Sequence, residues 1–183
     1  MTENHTALHE EIRAYVGLGS NSPEAEAMLA LAREGLSRLP ELRLSAASPL
    51  YSTEPQGYTE QPWFLNQVVE LILAPVWRPR RLLAAMLRLE STLGRVRSPD
   101  PALRYGPRAI DADLLLFGEE HCSDPACRVP HPRLTQRAFA LVPLLDIAPQ
   151  VRIEGTAATQ WLARLNYRLD GCRIFQGRVP LSV

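Results

Sequence analysis

Asp111 and Asp113 stand two residues apart in Arg108-Ala109-Ile110-Asp111-Ala112-Asp113-Leu114-Leu115-Leu116-Phe117. From Ile110 the stretch is apolar and of strand length, and Gly118 ends it. Side chains alternate across a strand at about 3.3 Å per residue, so both aspartates face one way, roughly 6.6 Å apart along it. The same alternation predicts Ile110, Ala112, Leu114 and Leu116 on the opposite face, with Leu115 and Phe117 following the aspartates. Two carboxylates brought to about 4 Å repel by roughly 4 kcal/mol at an effective dielectric of about 20. Protonation, arginine or a divalent cation relieves that. Magnesium takes one or two carboxylates and fills its shell with water and phosphate oxygens, and such a pair can also bridge two ions about 4 Å apart. Arg104 and Arg108, just upstream, suit phosphate recognition. A metal–phosphate site is the favoured reading, and an Asp–Arg salt-bridge cluster at a strand end is its alternative.

A second set of candidates runs from Ser52 to Asn66. The loop carries a hydroxyl (Thr53), aromatic rings and a carboxamide (Asn66), which together could hold a flat ligand rich in hydrogen bonds. An ordinary surface loop with Phe64 in the core is the plainer reading. His131, between prolines, is either a phosphate contact or a turn residue. Cys122 and Cys127 sit near His121 and His131, but paired C-x2-C spacings are the stronger zinc signal, and Cys127 reads better as a buried thiol.

The surrounding elements must position these groups. Ile12 to Leu18 reads as a strand, and Gly17-Leu18-Gly19-Ser20-Asn21 turns it into a helix. Ser22 is predicted as its N-cap and Pro23 as its first residue. Ala25, Met28, Leu29, Ala32, Leu36 and Leu39 follow at helical spacing until Pro40. The glycines fall short of a dinucleotide fingerprint, because Ser22 stands where the third glycine belongs. Leu42 to Ser52 is a second strand, interrupted near Ser48-Pro49, and Phe64 to Leu73 a third. Trp77-Arg78-Pro79 opens a helix with Leu82, Met86, Leu89 and Leu93 on its apolar face and Gly94 as its C-cap. The arginine-rich loop 95–107 leads to the aspartate strand. A helix follows from Leu134 to about Ile147, and beyond it only the amphipathic stretch Trp161, Leu162, Leu165 stands out. Strand, helix, strand, strand, helix, strand predicts an α+β fold with a ferredoxin-like βαββαβ core, its two helices on one face of an antiparallel sheet, plus a C-terminal helical extension.

The chain has 183 residues, enough for one domain with a full core. We expect a flexible lead-in at residues 1–11, the domain at 12–149, and an extension of the same domain at 150–183. Basic and acidic residues number 20 each, and every basic residue is arginine, so bulk charge draws the chain toward neither nucleic acid nor an anionic membrane. No apolar run approaches the roughly 20 residues of a membrane span, and the polar N-terminus lacks the order of a signal peptide. Three cysteines do not suggest a disulfide framework. A cytoplasmic protein is expected.

Taken together, Tyr15-Val16-Gly17-Leu18-Gly19-Ser20-Asn21, the loop Tyr51 through Asn66, Gly94-Arg95-Val96-Arg97, Tyr105 through Leu114, Val129-Pro130-His131-Pro132, Arg137 and Phe139 resemble the hydroxymethyl-dihydropterin pyrophosphokinases of folate biosynthesis. The resemblance covers residues 12–149 in unbroken order and implies the same ferredoxin-like core. It implies transfer of pyrophosphate from ATP to the hydroxymethyl group of 6-hydroxymethyl-7,8-dihydropterin, with release of AMP. By the same resemblance Asp111 and Asp113 are ligands of two Mg2+ ions, and Arg95 and Arg108 stabilise the moving group. Glu90, Arg97, Leu114, His131 and Arg137 fall on the ATP side. Gly19, Thr53, Glu54, Phe64, Asn66, Tyr105 and Phe139 fall on the pterin side. ATP and the pterin are the expected partners of a monomer or weak dimer. The chain departs from the family in a longer loop between Arg97 and Arg104, in Cys127-Arg128 near the nucleotide, and in its tail after Pro149. A non-catalytic ferredoxin-like paralogue that binds pterin or nucleotide is the alternative, and the intact aspartates and arginines weigh against it.

Overall fold

Alternating apolar residues build the sheet from its centre. In the computed structural model, which describes residues 11–55, 60–95 and 108–176, strand β1 (Ile12–Ser20) lies between β4 (Phe64–Leu73) and β5 (Asp111–Phe117), antiparallel to both. Helix α1 (Ala25–Ser37), β2 (Leu42–Ala47) and β3 (Tyr51–Thr53) precede β4 in the chain, and α2 (Pro79–Thr92) precedes β5. The hairpin β6 (Cys122–Asp124) and β7 (Cys127–Val129) leads to α3 (Ala138–Ile147). A ribbon of β8 (Arg152–Ile153) and β9 (Thr156–Ala157), helix α4 (Ala158–Leu162), and strands β10 (Tyr167–Asp170) and β11 (Arg173–Gln176) complete the described chain. The main sheet has seven strands in the order β10-β11-β3-β4-β1-β5, with β2 also paired to β4.

Partners in register share a face, and the two faces have different covers. Ala14, Val16, Leu18, Val69, Leu71, Leu73, Ala112 and Leu114 pack against Leu29, Ala32 and Leu36 of α1 and Leu82, Ala85 and Met86 of α2. Tyr15, Val68, Leu115 and Leu116 pack under Leu141 and Leu144 of α3 and Ala158 of α4. Helices therefore cover both faces. The alternation along β5 breaks at Leu115, where the register with β1 slips by one residue between Tyr15 and Val16. A bulge of this kind inserts one unpaired residue. It turns Leu116 toward α3 and Phe117 toward α1 and α2, the reverse of simple alternation.

Several local readings hold and others shift. Phe64–Leu73 matches the predicted strand, Pro79 opens α2, and Gly94 closes it at φ +86°, a conformation in which glycine carries no Cβ penalty. The second strand is divided in two at Ser48, whose backbone and hydroxyl both bond Val68. The predicted cap at Ser22 is not formed. Regular α1 starts at Ala25 with no side-chain cap, because Ser22 is drawn back onto Ser20 Oγ. The tail departs most from a helical extension: its described residues give one short helix, but strand β11 lies parallel to β3 and widens the sheet. The expected lead-in, residues 1–11, lies outside the described residues except Glu11.

Candidate functional site

The face of the sheet that carries α3 also carries the polar residues at its open end. Register sets Gly19 opposite Asp111 on one side and Asn66 on the other, sets Gly17 opposite Asp113, and sets Thr53 opposite Phe64. Carboxylates, carboxamide and hydroxyl thus form a row across four strands. Gly19 keeps the middle of the row open. A Cβ there would lie 2.7 Å from Asn66 Oδ1, closer than real side chains approach. Asn66 Nδ2 donates to Thr53 Oγ1 at 2.6 Å, which fixes the amide and presents Oδ1 toward the floor.

Ion pairs surround the aspartates. Asp111 accepts from Arg95 through one oxygen and from Arg108 through the other. Arg95 also donates to Glu90, whose carboxylate accepts Ala112 N–H at 2.8 Å. Glu90 is fully buried in α2, so it holds Arg95 and the β5 backbone from beneath. Burial opposes a charge on Asp111, but Arg95 and Arg108 outweigh it and hold the carboxyl below the ordinary range. Arg95 is raised despite burial, by Asp111 and Glu90. Asp113 forms the neighbouring group, accepting from Arg137 at 3.0 Å with His131 Nε2 at 3.9 Å.

His131 is fixed by its backbone and its ring. Its N–H donates to Leu115 carbonyl at 2.9 Å, and its Nδ1 accepts Arg133 N–H at 3.1 Å, so the ring proton belongs on Nε2, facing Asp113. Burial lowers the imidazole pKa, Asp113 opposes this, and Arg137 and Arg133 add to the lowering. Beside it opens a cavity of about 200 Å³, lined by Leu83, Leu114, Cys127, Arg128, His131 and Asp113 among others. It has an apolar wall and a charged rim. Phe139 stands on the other side of Arg137, its ring 5.3 Å from the guanidinium carbon.

Of the candidate residues, the structure brings together Glu90, Arg95, Arg108 and Asp111. It joins Asp113 to His131 and Arg137, and Gly19 to Thr53 and Asn66. Leu114 lines the cavity, while Glu54 gives its backbone N–H to Ile174 of β11 at 3.4 Å. Arg97 and Tyr105 lie outside the described residues. Among the described residues, no three His, Cys, Asp or Glu side chains converge as a metal site. Sequence reasoning took Ser20 and Asn21 for a mere turn. Ser20 Oγ donates to Ala109 carbonyl at 2.6 Å. Asn21 Oδ1 accepts Arg108 N–H at 2.7 Å, and its Nδ2 donates to Gln61 Oε1 at 3.0 Å and Pro62 carbonyl at 3.3 Å. One buried amide therefore ties the ends of both loops that flank the aspartate row. A polar pair at the buried end of an apolar strand was the available signal.

A model of the 7,8-dihydro-6-hydroxymethylpterin-pyrophosphokinase family matches residues 15–149. A 2-amino-4-hydroxy-6-hydroxymethyldihydropteridine pyrophosphokinase of Pseudomonas aeruginosa is 46% identical over 143 residues, 77% of this chain and 83% of that protein. One from Methylorubrum extorquens is 44% identical over 154 residues, 84% of this chain and 94% of its own length. Among solved structures, the Plasmodium falciparum HPPK-DHPS A437G crystal structure with STZ-DHP superposes with a TM-score of 0.61 at 14% identity. That match covers 87% of this chain and 46% of the larger one, and it speaks to the shared mixed α and β fold. From matched residues and curated relatives alike, the chain belongs to the 7,8-dihydro-6-hydroxymethylpterin-pyrophosphokinase family.

Proposed function

We propose that the aspartate row is where this enzyme moves pyrophosphate from ATP to the hydroxymethyl group of 6-hydroxymethyl-7,8-dihydropterin, releasing AMP. The observation that carries the reading is the row itself: Asp111 and Asp113 on one face of β5, each engaged by arginine, beside the Asn66 carboxamide across an open glycine floor. The ring system of the pterin takes the Asn66 edge and the surface of Phe64 and Phe139, with Thr53 holding Asn66 in place. The nucleotide takes the cavity beside Leu114 and His131, with Arg137 at its phosphate end. Between these two places lie Asp111 and Asp113.

The donor set fits magnesium, which asks for one or two carboxylates with water and phosphate completing its shell. Asp111 and Asp113 would hold two Mg2+ ions, which when bound neutralise phosphate charge. The chain's own residues do the rest. The pterin hydroxyl oxygen gives up its proton to solvent and forms a bond to the β-phosphorus as the bond from that phosphorus to the α-bridging oxygen breaks, and AMP leaves with the electron pair. Arg95 and Arg108 trade their hold on Asp111 for phosphate oxygens as charge develops there. Glu90 keeps Arg95 within reach during that exchange. Catalysis of this kind consists of positioning and charge neutralisation.

We read the central strands, in the order β5-β1-β4 with β2 and β3 beyond, as a ferredoxin-like core. Residues 12–149 form the domain and 150–183 an extension of it. Free thiols at Cys122, Cys127 and Cys172 support a cytoplasmic location, and a monomer or weak dimer suffices for a site built within one chain. No helix among the described residues is long and apolar enough to cross a membrane. The deciding assay follows AMP by chromatography in the presence of ATP and Mg2+, with and without the pterin. AMP forms only with pterin and metal together. ATP turnover without pterin, or binding of both ligands without AMP, refutes the reaction.

A further inference from the structure

Helix α3 begins without a cap of its own. Arg137 occupies the N-cap position in extended conformation and makes no side-chain capping bond, although the first N–H groups of a helix need outside partners. One comes from 38 residues away. Gln176 in β11 accepts Ala138 N–H at 2.7 Å through Oε1 and donates through Nε2 to Gln136 carbonyl at 2.8 Å. These bonds seize the backbone on both sides of Arg137, and Gln176 is itself buried, at 6% exposure. At the other end of α3, Tyr51 of β3 donates to Asp146 at 2.8 Å. The two strands that hold the helix ends are neighbours, β11 running parallel to β3 with Ile174 opposite Thr53.

We infer that Gln176 is a positioning residue, which caps α3 in place of a local side chain and thereby aims Arg137 at Asp113. Gln176 lies beyond the residues 15–149 that the family model matches, so this chain supplies from its own tail a cap that its helix lacks. The argument is geometric. Arg137 reaches Asp113 with one nitrogen at 3.0 Å, and its backbone is gripped one residue to either side by a single carboxamide. Releasing that carboxamide frees the first turn of α3 and lets the guanidinium drift. A misplacement of about 1 Å at a reacting site can cost 100-fold in rate.

The inference rests on the phosphate role proposed for Arg137, and its test separates the two. Full-length wild type, Gln176→Ala, Gln176→Glu, Arg137→Ala and the Arg137→Ala/Gln176→Ala double variant are compared for kcat and KM with ATP and pterin. Amide exchange of Ala138 is followed alongside. Gln176→Ala lowers kcat/KM for ATP by about 10- to 100-fold and speeds exchange at Ala138. Gln176→Glu keeps the acceptor for that N–H and falls between wild type and alanine. In the Arg137→Ala background the same change costs no more than about twofold further, since residues acting through one another do not multiply. Wild-type kinetics in Gln176→Ala, or fully multiplicative losses in the double variant, overturns the inference. If Gln176→Ala does not fold, Gln176→Glu runs through the same cycle and is judged alike. If wild type makes no AMP, the reaction reading fails, and exchange at Ala138 alone then decides the cap: faster in the Gln176 variant supports it, unchanged rejects it.

Discussion

Replacing Asn21 with alanine tests whether the site depends on a single buried amide. Its side chain makes three hydrogen bonds, to Arg108 N–H, Gln61 and Pro62, and is almost fully buried. At roughly 1 kcal/mol net for each of these bonds, the change costs about 2–3 kcal/mol. For a chain of this size that lowers Tm by about 5–10 °C, at roughly 2–4 °C per kcal/mol. Loss of folded protein at 25 °C is then negligible, so any further loss of turnover reflects geometry. Arg108 and the loop ending at Pro62 are both released, and kcat/KM falls at least about tenfold, one decade per 1.4 kcal/mol of lost positioning. Asn21→Asp keeps the acceptor for Arg108 N–H, loses the donor to Gln61 and Pro62, and falls between. Calorimetric melting and AMP formation are measured on the same preparations. A fall in Tm with unchanged kcat/KM refutes the reasoning that Asn21 shapes the site, and no fall in Tm refutes the hydrogen-bond assignment.

Gly19→Ala places a methyl against Asn66 Oδ1 and parts Asn66 from Thr53; pterin KM rises about tenfold or more, at 1.4 kcal/mol per decade, while ATP KM holds, as initial-rate kinetics will show. Asp113→Asn stops AMP formation and lowers Tm by a few degrees, because it leaves the buried Arg137 guanidinium without its carboxylate. Glu70 carries a pH signature away from the site. Burial raises its pKa, but hydrogen bonds from Ser45, Arg13 and Tyr15 outweigh this and hold it low. A depressed carboxylate pKa contributes stability above the unfolded value and loses it as pH falls through the folded one. Glu70→Gln is therefore less stable than wild type at neutral pH, and denaturant melts at stepped pH find the gap closing as pH drops below the ordinary carboxylate range.

Legibility in the sequence followed the range of the forces involved. Strand β4 and helix α2 were plain because each is a local pattern, a run of branched apolar residues in one case and a proline start with a glycine stop in the other. Asp111 and Asp113 were plain for the same reason: spacing along one strand fixes their shared face. The bulge at Leu115 was hidden, since it depends on how β1 pairs with β5 and leaves no mark on composition. The cap at Ser22 failed because Ser20 competed for the same hydroxyl. Residues whose work is to hold others were the hardest to find. Asn21 and Gln176 act on the backbone of segments 38 or more residues away, and a carboxamide gives no hint in sequence of which amide it will meet.

The pairing of arginines with carboxylates has a further consequence. Glu90, Asp111 and Asp113 face Arg95, Arg108 and Arg137, three negative groups against three positive ones. These six groups sum to no net charge, and drawing in a lone cation or a lone polyanion means leaving one half of these pairs exposed to its own kind. A cation that arrives already riding on a polyphosphate meets no such penalty. Each of its halves finds the partner that the other half displaces. On the role proposed for Asp111 and Asp113, the ion pairs would then act as a filter on the form of the incoming nucleotide, selecting the loaded species over its separate parts before any chemistry begins.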